Sequence, residues 1–201
     1  MRTVHREIDQ EMRKSPKPQI VWAANYRPLK RGELFLDLAH KMSRSEVEFI
    51  MIYGRTKKEY IAPILAKAEG IRNLRITGES SPAEVEREIE SAALFVNTSL
   101  PCEGFPNTFV QSWLRETPVV SLQVDPGGVL SREKVGLCSG SFERLVEDVS
   151  RLLSNVENRM EMGRRARAYA EKIHGLRQNT GKINRLFEQF AQRLSWSEMA
   201  V

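Results

Sequence analysis

The segment at residues 97–108, NTSLPCEGFPNT, combines residue types that could hold a phosphorylated sugar. Glu103 offers a carboxylate to sugar hydroxyls, and the polar residues after Gly104 open a predicted helix whose first backbone amides are free to bind phosphate oxygens. The same residues would also form a Gly-Pro turn capped by Asn107. From spacing alone, the sugar-phosphate site and the structural turn are equally supported.

A second segment, at residues 25–32, NYRPLKRG, places three cations between a strand end and a helix start. Arg27, Lys30 and Arg31 beside a helix N-terminus would form a phosphate-binding arrangement. Three basic residues in a loop are also common on ordinary solvated surface. Neither G-x-G-x-x-G nor G-x-x-x-x-G-K occurs in this segment, so a standard dinucleotide fingerprint and a P-loop are both unsupported.

The elements that must position these loops are short hydrophobic runs alternating with helical patterns. Each run is continuously apolar, as parallel strands covered on both faces require. The alternation predicts an α/β fold with a doubly wound, Rossmann-like parallel sheet, whose ligands bind beyond the carboxyl ends of the strands. Five strands are predicted, over residues 19–24, 48–53, 74–77, 94–96 and 119–122.

Helices are predicted between these strands and throughout the last third of the chain. One covers 57–69 with Ile61, Leu65 and Ala68 turned inward. Ser81 and Glu84 form a capping box around Pro82, which starts a helix that reaches about residue 93. An earlier helix carries Leu34, Phe35, Leu38 and Met42 on one face, and later ones are predicted over 108–115, 142–153, 156–173 and 182–194.

The chain resembles glycosyltransferase family 4. The resemblance rests on EGFPNTFVQSWLRETPVVS at 103–121, followed by VDPGGV at 124–129, and on IVWAANYRPLKRGELFLDL at 20–38, which is similar to the first strand and lysine-bearing loop of that family. Order and spacing agree across roughly residues 19–137. Members are retaining enzymes of the GT-B fold, in which two Rossmann-like domains face each other across a cleft. The resemblance implies that this chain is the C-terminal, donor-binding domain.

The resemblance also implies roles for individual residues. Lys30 falls on the lysine that contacts the donor diphosphate, and Glu103 on the first acid of an E-x7-E motif, which binds the transferred sugar; these two are the expected catalytic residues. Two positions depart from the family: Asn25 replaces an arginine, and Gln111 replaces the second acid, which holds the ribose. The full set of expected donor-binding residues is Asn25, Arg27, Lys30, Glu103, Gly104, Phe105, Pro106, Asn107, Thr108 and Gln111.

The implied function is glycosyl transfer, of the hexosyltransferase type, from a nucleoside diphosphate sugar to an unknown acceptor in polysaccharide biosynthesis. No metal or other cofactor is expected, because cations and helix-end amides can neutralise a diphosphate. The partner would be an N-terminal acceptor domain, supplied in cis or in trans, and the chain is expected to be inactive without it. The alternative is a non-catalytic nucleotide-sugar-binding module or a truncated gene product.

Composition sets further bounds. With 201 residues, of which 41% are hydrophobic, the chain can bury one sizeable core. We expect a lead-in over 1–18, a nucleotide-sugar-binding domain over 19–180 and a C-terminal helix and tail over 181–201. The charge of +5 favours anionic partners, and we expect a nucleotide sugar, not nucleic acid.

Other residues have simpler interpretations. A cytoplasmic location is expected, with peripheral association at the inner face of the membrane as an alternative. Cys102 and Cys138 are expected to be reduced and partly buried. His174 is expected to be a helix cap or a packed residue and not a catalyst. One predicted helix carries a cluster of cations, which forms either a solvated face or a membrane-facing one. The cations are Arg159, Arg164, Arg165 and Arg167.

Overall fold

Six parallel strands form a single sheet in the computed structural model, which describes residues 14–198. The strand order is β3-β2-β1-β4-β5-β6, with every neighbouring pair parallel. This order confirms the doubly wound, Rossmann-like fold. The strands are β1 (Gln19–Ala24), β2 (Glu48–Tyr53), β3 (Leu74–Thr77), β4 (Leu94–Asn97), β5 (Val119–Ser121) and β6 (Gly136–Cys138).

Helices connect the strands and cover both faces of the sheet. They are α1 (Gly32–Lys41), α2 (Lys58–Ala68), α3 (Pro82–Ser91), α4 (Asn107–Leu114), α5 (Val129–Arg132), α6 (Phe142–Ser154), α7 (Val156–His174) and α8 (Leu176–Glu198). Short 3-10 turns at Pro28–Lys30 and Pro101–Glu103 follow β1 and β4. The sequence therefore returns to the sheet after each of the first four helices, as the alternating pattern predicts.

The core lies on both faces of the sheet because successive strand residues point to opposite sides. Ile20 and Trp22 of β1 pack in a cluster with side chains of α1, α2 and α6, whereas Val21 and Ala23 pack with side chains of α3, α4 and α7. Burying each large apolar side chain contributes roughly 1.5–3 kcal/mol. A central strand in this position must be hydrophobic at every residue, which explains the continuous runs in the sequence.

The predicted capping box is present at the start of α3. The Ser81 hydroxyl accepts from the Glu84 amide at 3.3 Å, and Glu84 Oε2 accepts from the Ser81 amide at 2.7 Å. This reciprocal pair satisfies two amides that a helix otherwise leaves without partners. Hydrogen bonds from the Ser81 hydroxyl, and then from its amide, lower the pKa of the exposed Glu84 carboxyl.

Three details differ from the sequence predictions. Leu65 was expected to be buried, but its side chain is 39% exposed and Ile64 is buried in its place. The inward face of α2 is set by Ile61, Ile64 and Ala68, and Leu65 lies beyond its edge. The sheet has a sixth strand, β6, which is only three residues long, and α8 begins at Leu176 and not at residue 182.

The cations of α7 are paired with acids or helix carbonyls. Arg164 and Arg165 both bond Glu161, at 2.8 and 3.2 Å, and Arg167 bonds Glu171 at 2.8 Å. Arg159 instead donates to the last carbonyls of α6, including Leu152 O at 2.8 Å. All four side chains are half-buried, and Arg167 also bonds Glu116 at 3.5 Å. Among the described residues, no helix is both long and apolar enough to cross a membrane.

The corrected face of α2 can be tested by a matched pair of substitutions. Ile64→Ala should reduce the free energy of unfolding by roughly 2–5 kcal/mol, because it leaves a cavity in the core. Leu65→Ala, on the same helix, should change it by less than about 0.5 kcal/mol. Urea unfolding of both variants measures the difference. A larger loss for Leu65→Ala would show that Leu65 is the packed residue.

Candidate functional site

The candidate site lies where the direction of chain progression across the sheet reverses. β1 and β4 are neighbours, but β1 is followed by α1 on one face and β4 by α4 on the other. The two loops therefore diverge and leave a crevice at the carboxyl ends of these strands, where ligands of open α/β sheets bind. Both segments singled out in the sequence, 25–32 and 97–108, lie at this crevice.

The two loops are joined by the buried hydroxyl of Thr98. Its Oγ1 donates to the Lys30 carbonyl at 2.7 Å and accepts from Trp22 Nε1 at 2.9 Å. A second bond runs from the Leu100 amide to the Leu29 carbonyl, at 2.9 Å. Because these bonds connect one loop to the other, the backbone of Lys30 is fixed relative to the β4 loop.

Lys30 and Glu103 form an ion pair across the crevice, through Nζ and Oε1. Their side chains are only 21% and 9% exposed. Burial, and then the charge of Arg27, lower the pKa of Lys30. The structure thus brings together the two residues expected to be catalytic, with opposite charges in contact.

Asn97, the last residue of β4, forms hydrogen bonds that connect Glu103 of this pair to the residues around it. Its Nδ2 lies 3.4 Å from Glu103 Oε2 and 3.2 Å from Ser99 Oγ, and its Oδ1 accepts from the Ser99 amide at 3.2 Å and from Ser121 Oγ at 3.3 Å. The side chain is buried. Sequence reasoning missed this residue, although an amide directly after a buried strand is a signal that could have identified it.

The start of α4 borders the same crevice. Gly104 has a φ of 77°, in the region that favours glycine, which lets the chain turn from Glu103 into the helix. Pro106 precedes the helix and no side chain caps it. The first amides, including those of Asn107 and Thr108, therefore keep their capacity to bind an anion.

These loops enclose a cleft of about 470 Å³, within the size range of small-molecule sites. Gly104 lies in the lining segment without lining the cleft, and Gln111 is half-buried one turn further into α4. The predicted role of Gln111 at a ribose stays a prediction. The other eight expected residues line the cleft: Asn25, Arg27, Lys30, Glu103, Phe105, Pro106, Asn107 and Thr108.

The remaining polar residues of the first loop are divided between the cleft and its surroundings. Arg31 leaves the cleft, since its Nη1 donates to Gln123 Oε1 at 2.9 Å. Asn25 Oδ1 accepts from the Arg55 amide at 3.1 Å and lies so close to Gly54 that a β-carbon there would be 2.2 Å away. Within the described part of the chain, Arg27 lines the cleft without an ion-pair partner.

A second cleft, of about 850 Å³, adjoins the first and shares Arg27 and Leu29 with it. It lies at the carboxyl ends of β2 and β3. Its walls include the rings of Tyr53 and Tyr60, together with Lys57. The predicted strand at 48–53 and helix at 57–69 imply a loop at this edge, but the sequence did not indicate that two tyrosines would line a common space.

Cys102 also lines the first cleft and is exposed, contrary to the expectation that it is partly buried. The 3-10 turn before Gly104 directs it outward, whereas Cys138, in β6, is half-buried as expected. Both thiols are free. Within residues 14–198, no three His, Cys, Asp or Glu side chains are grouped as a metal ion would require.

The family model described as glycosyl transferases group 1 matches residues 17–155. Among curated protein sequences, none matches the chain significantly. Solved structures with the same fold include Anabaena HepE in complex with UDP-glucose, which is 15% identical with a TM-score of 0.73 over 91% of this chain and 52% of its own. The chain thus spans about half the length of HepE.

Two further structures have the same fold. Staphylococcus aureus TarM is 20% identical over 87% of this chain and 36% of its own, with a TM-score of 0.71. A glycosyltransferase from Rickettsia africae is 12% identical over 94% and 52%, with a TM-score of 0.75. Together with the strand order, these similarities show one Rossmann-like half of a GT-B fold.

The Thr98 hydroxyl should be essential to the joint between the two loops. Thr98→Val keeps the shape but leaves Trp22 Nε1 and the Lys30 carbonyl without their partner, so the free energy of unfolding should fall by about 1–3 kcal/mol. Thr77→Val is the matched control, because the Thr77 hydroxyl is buried with no hydrogen-bond partner among the described residues. Denaturant unfolding should show the control to be neutral or stabilised. Equal losses of unfolding free energy in both variants would show that the Thr98 hydroxyl does not hold the two loops together.

Proposed function

The chain belongs to the glycosyl transferases group 1, and from this we propose that it is the donor-binding domain of a retaining, family 4 type glycosyltransferase. In this proposal it binds a nucleoside diphosphate sugar in the crevice between the β1 and β4 loops. The transferred sugar goes to an acceptor held by a facing domain. Lys30 and Glu103 are the catalytic residues.

The observation that carries the proposal is the contact between Lys30 and Glu103 in a largely buried cleft beside the start of α4. A nucleotide sugar presents a diphosphate anion and, next to it, a ring of hydroxyls. A cation and helix amides suit the first, and a carboxylate acceptor suits the second. The cleft places these groups in that order within a volume fit for a sugar diphosphate.

The second cleft gives the donor a direction. With the sugar at Glu103 and the diphosphate at Lys30 and Arg27, the nucleoside extends past Arg27 into the second cleft, which Tyr53 and Tyr60 line. Tyrosine rings offer flat apolar surface for a base, and Arg27 belongs to both clefts. The complexes of HepE with UDP-glucose and with UDP support a nucleotide sugar as the ligand class.

The chemistry assigned to these residues is electrostatic. As the bond between the sugar and the diphosphate breaks, negative charge grows on the leaving diphosphate, and Lys30 with Arg27 and the first α4 amides stabilises it. Glu103 orients the sugar through its hydroxyls. The proposal includes no metal, because these fixed positive groups can take the neutralising role themselves.

A facing domain, in cis or in trans, is the other part of the proposal. The structure of HepE is about twice as long as the part that this chain matches. Apolar side chains of α8 are exposed along one face at helical spacing, with Phe187 70% exposed; the others are Ile183, Leu186 and Phe190. Without a second domain the acceptor is not oriented and water is not excluded, so transfer should not occur.

A non-catalytic nucleotide-sugar-binding module is the second candidate. The observation in its favour is that Asn25 and Gln111 lack the charges that the family has at these positions, while the cleft keeps Lys30 and Glu103. Such a module, or a truncated product, would bind a donor and never transfer its sugar. The two candidates differ only when a facing domain is supplied.

Binding tests the function directly. Isothermal titration with uridine, guanosine and adenosine diphosphates and their glucose conjugates should give weak but saturable binding of one nucleotide class to the 201-residue chain. We expect no sugar transfer by the purified chain. If none of the conjugates binds, the proposal is wrong, and robust turnover by the chain alone would contradict the need for a facing domain.

Substitutions at Lys30 and Glu103 should affect different ligands. Lys30→Ala should weaken the free diphosphate and its sugar conjugate alike, by roughly 1–3 kcal/mol, since a charge-assisted contact common to both is lost. Glu103→Ala should weaken only the conjugate, and should leave the free diphosphate unchanged or tighter because Lys30 loses its competing partner. Titration calorimetry with each ligand measures both effects.

The control for this pair is Arg31→Ala. Arg31 has the same charge as Lys30 and lies next to it, but it bonds Gln123 outside the cleft. Its removal should leave both affinities nearly unchanged. Each variant must first show an unchanged melting transition. Equal losses for both ligands in a folded Glu103→Ala variant would mean that the carboxylate organises the loop and does not bind the sugar.

A further inference from the structure

Phe105 occupies an unusual position at the edge of the first cleft. It follows Gly104 in the loop after Glu103, lines the cleft and is 41% exposed. The inner side of its ring nevertheless packs on other rings, with centroids 6.0 Å from Trp113 and 6.4 Å from Phe109. An exposed aromatic with one packed face acts as an anchor for the loop that bears it.

The ring nearest to that of Phe105 belongs to His174, the last residue of α7. Its centroid lies 5.4 Å from that of Phe105, closer than any ring of α4, and 6.0 Å from that of Tyr169. His174 is also 6.3 Å from Trp113. The rings that pack against Phe105 therefore come partly from α7. This helix is distant in sequence from the loop and contributes no residue to the lining of the cleft.

The imidazole is held there as a ring and not as a polar group. Its Nε2 is buried with no hydrogen-bond partner among the described residues. Burial also lowers the pKa of His174, which favours the neutral form. A buried nitrogen without a partner is unfavourable, so hydrogen bonding does not account for the position of this side chain. Its contacts are those of a flat aromatic surface.

We propose that His174 is a positioning residue of the donor cleft: through its ring contact with Phe105 it fixes the loop that carries Glu103. The inference rests on the proposed function only in calling this loop a donor loop. On the other side Glu103 is held by Lys30 and Asn97. His174 closes the second side, from the last residue of α7.

Hydrogen–deuterium exchange of the full chain tests this without any ligand. His174→Ala should speed exchange of the amides in residues 100–108 by roughly 5- to 10-fold, because the anchor loses one wall. His174→Phe keeps a flat ring and should restore the protection. Lys172→Ala, an exposed neighbour on the same helix, is the control and should change nothing in the loop. Strand β1 should stay protected in all variants.

The outcomes separate positioning from simple support of the helix. If His174→Ala speeds exchange only near residues 166–180, the residue stabilises the end of α7 alone and the proposal is wrong. The proposal also fails if the amides of residues 100–108 exchange as fast in His174→Phe as in His174→Ala. Should the alanine variant not fold, His174→Leu, which keeps apolar volume without a flat ring, must loosen 100–108 in its place.

A binding measurement adds the functional consequence. With the nucleotide that the titration panel selects, His174→Ala should weaken the sugar conjugate by roughly 3- to 10-fold and the free diphosphate by less, since the loosened segment carries Glu103, which faces only the sugar, as well as the Asn107 and Thr108 amides. His174→Phe should bind like the unchanged chain. If no nucleotide binds at all, the proposed function fails, while the exchange experiment still decides the role of His174.

Discussion

The rest of the site depends on the two hydrogen bonds of the Thr98 hydroxyl. This hydroxyl is buried at the point where β1 and β4 part, and it joins Trp22 Nε1 to the carbonyl of Lys30. Trp22 is packed against Phe35 and Tyr26, with ring centroids 6.4 and 6.1 Å away. The Thr98 side chain therefore connects the packed core to the first loop. This connection fixes the backbone position of Lys30.

The contact of Lys30 with Glu103 follows from this placement. A cleft for an anion that also carries hydroxyl groups needs a cation and an acceptor side by side, and burial makes each costly if it is left alone. Their pairing offsets that cost in the structure. On the proposed function, a diphosphate takes over Lys30 from Glu103, so its net affinity is the difference between two charge-assisted contacts. Arg27, without such a partner in the described residues, contributes without that competition.

The sequence predicted the elements better than their packing. The bounds of β1, β2 and β3 agree with the predicted strands to the residue. The inner residues of β1 and β2 are buried and apolar, whereas β3 is a half-buried edge strand that includes Arg75. The inward face of α2 was wrong at Leu65, since Ile61, Ile64 and Leu65 fit a helical face in either phase and only contact with the core decides between them. β6 was missed because three residues, one buried and two half-buried, are too few to leave a pattern.

The site divides in the same way. Strand order explains why segments 25–32 and 97–108 meet, and the sequence placed both at strand ends. The bonds that define the site join residues such as Lys30 and Thr98, which are 68 positions apart. Neither residue alone indicates that bond. The hydrogen bonds of Asn97 and the two tyrosines of the second cleft depend likewise on side-chain directions, which composition and spacing do not contain.

The two departures from the family have different physical weight. Asn25 holds the loop at Gly54 and Arg55, so this position has become structural, while Arg27 keeps a second cation at the wall that the two clefts share. On the proposed function, the number of cations available to a diphosphate is therefore maintained. At position 111 an amide replaces a carboxylate, and an amide accepts weaker hydrogen bonds from hydroxyls. On the proposed function, the phosphate contacts are preserved, and the base lies in the second cleft, which Gln111 does not line. Specificity for the base must then come mainly from the second cleft.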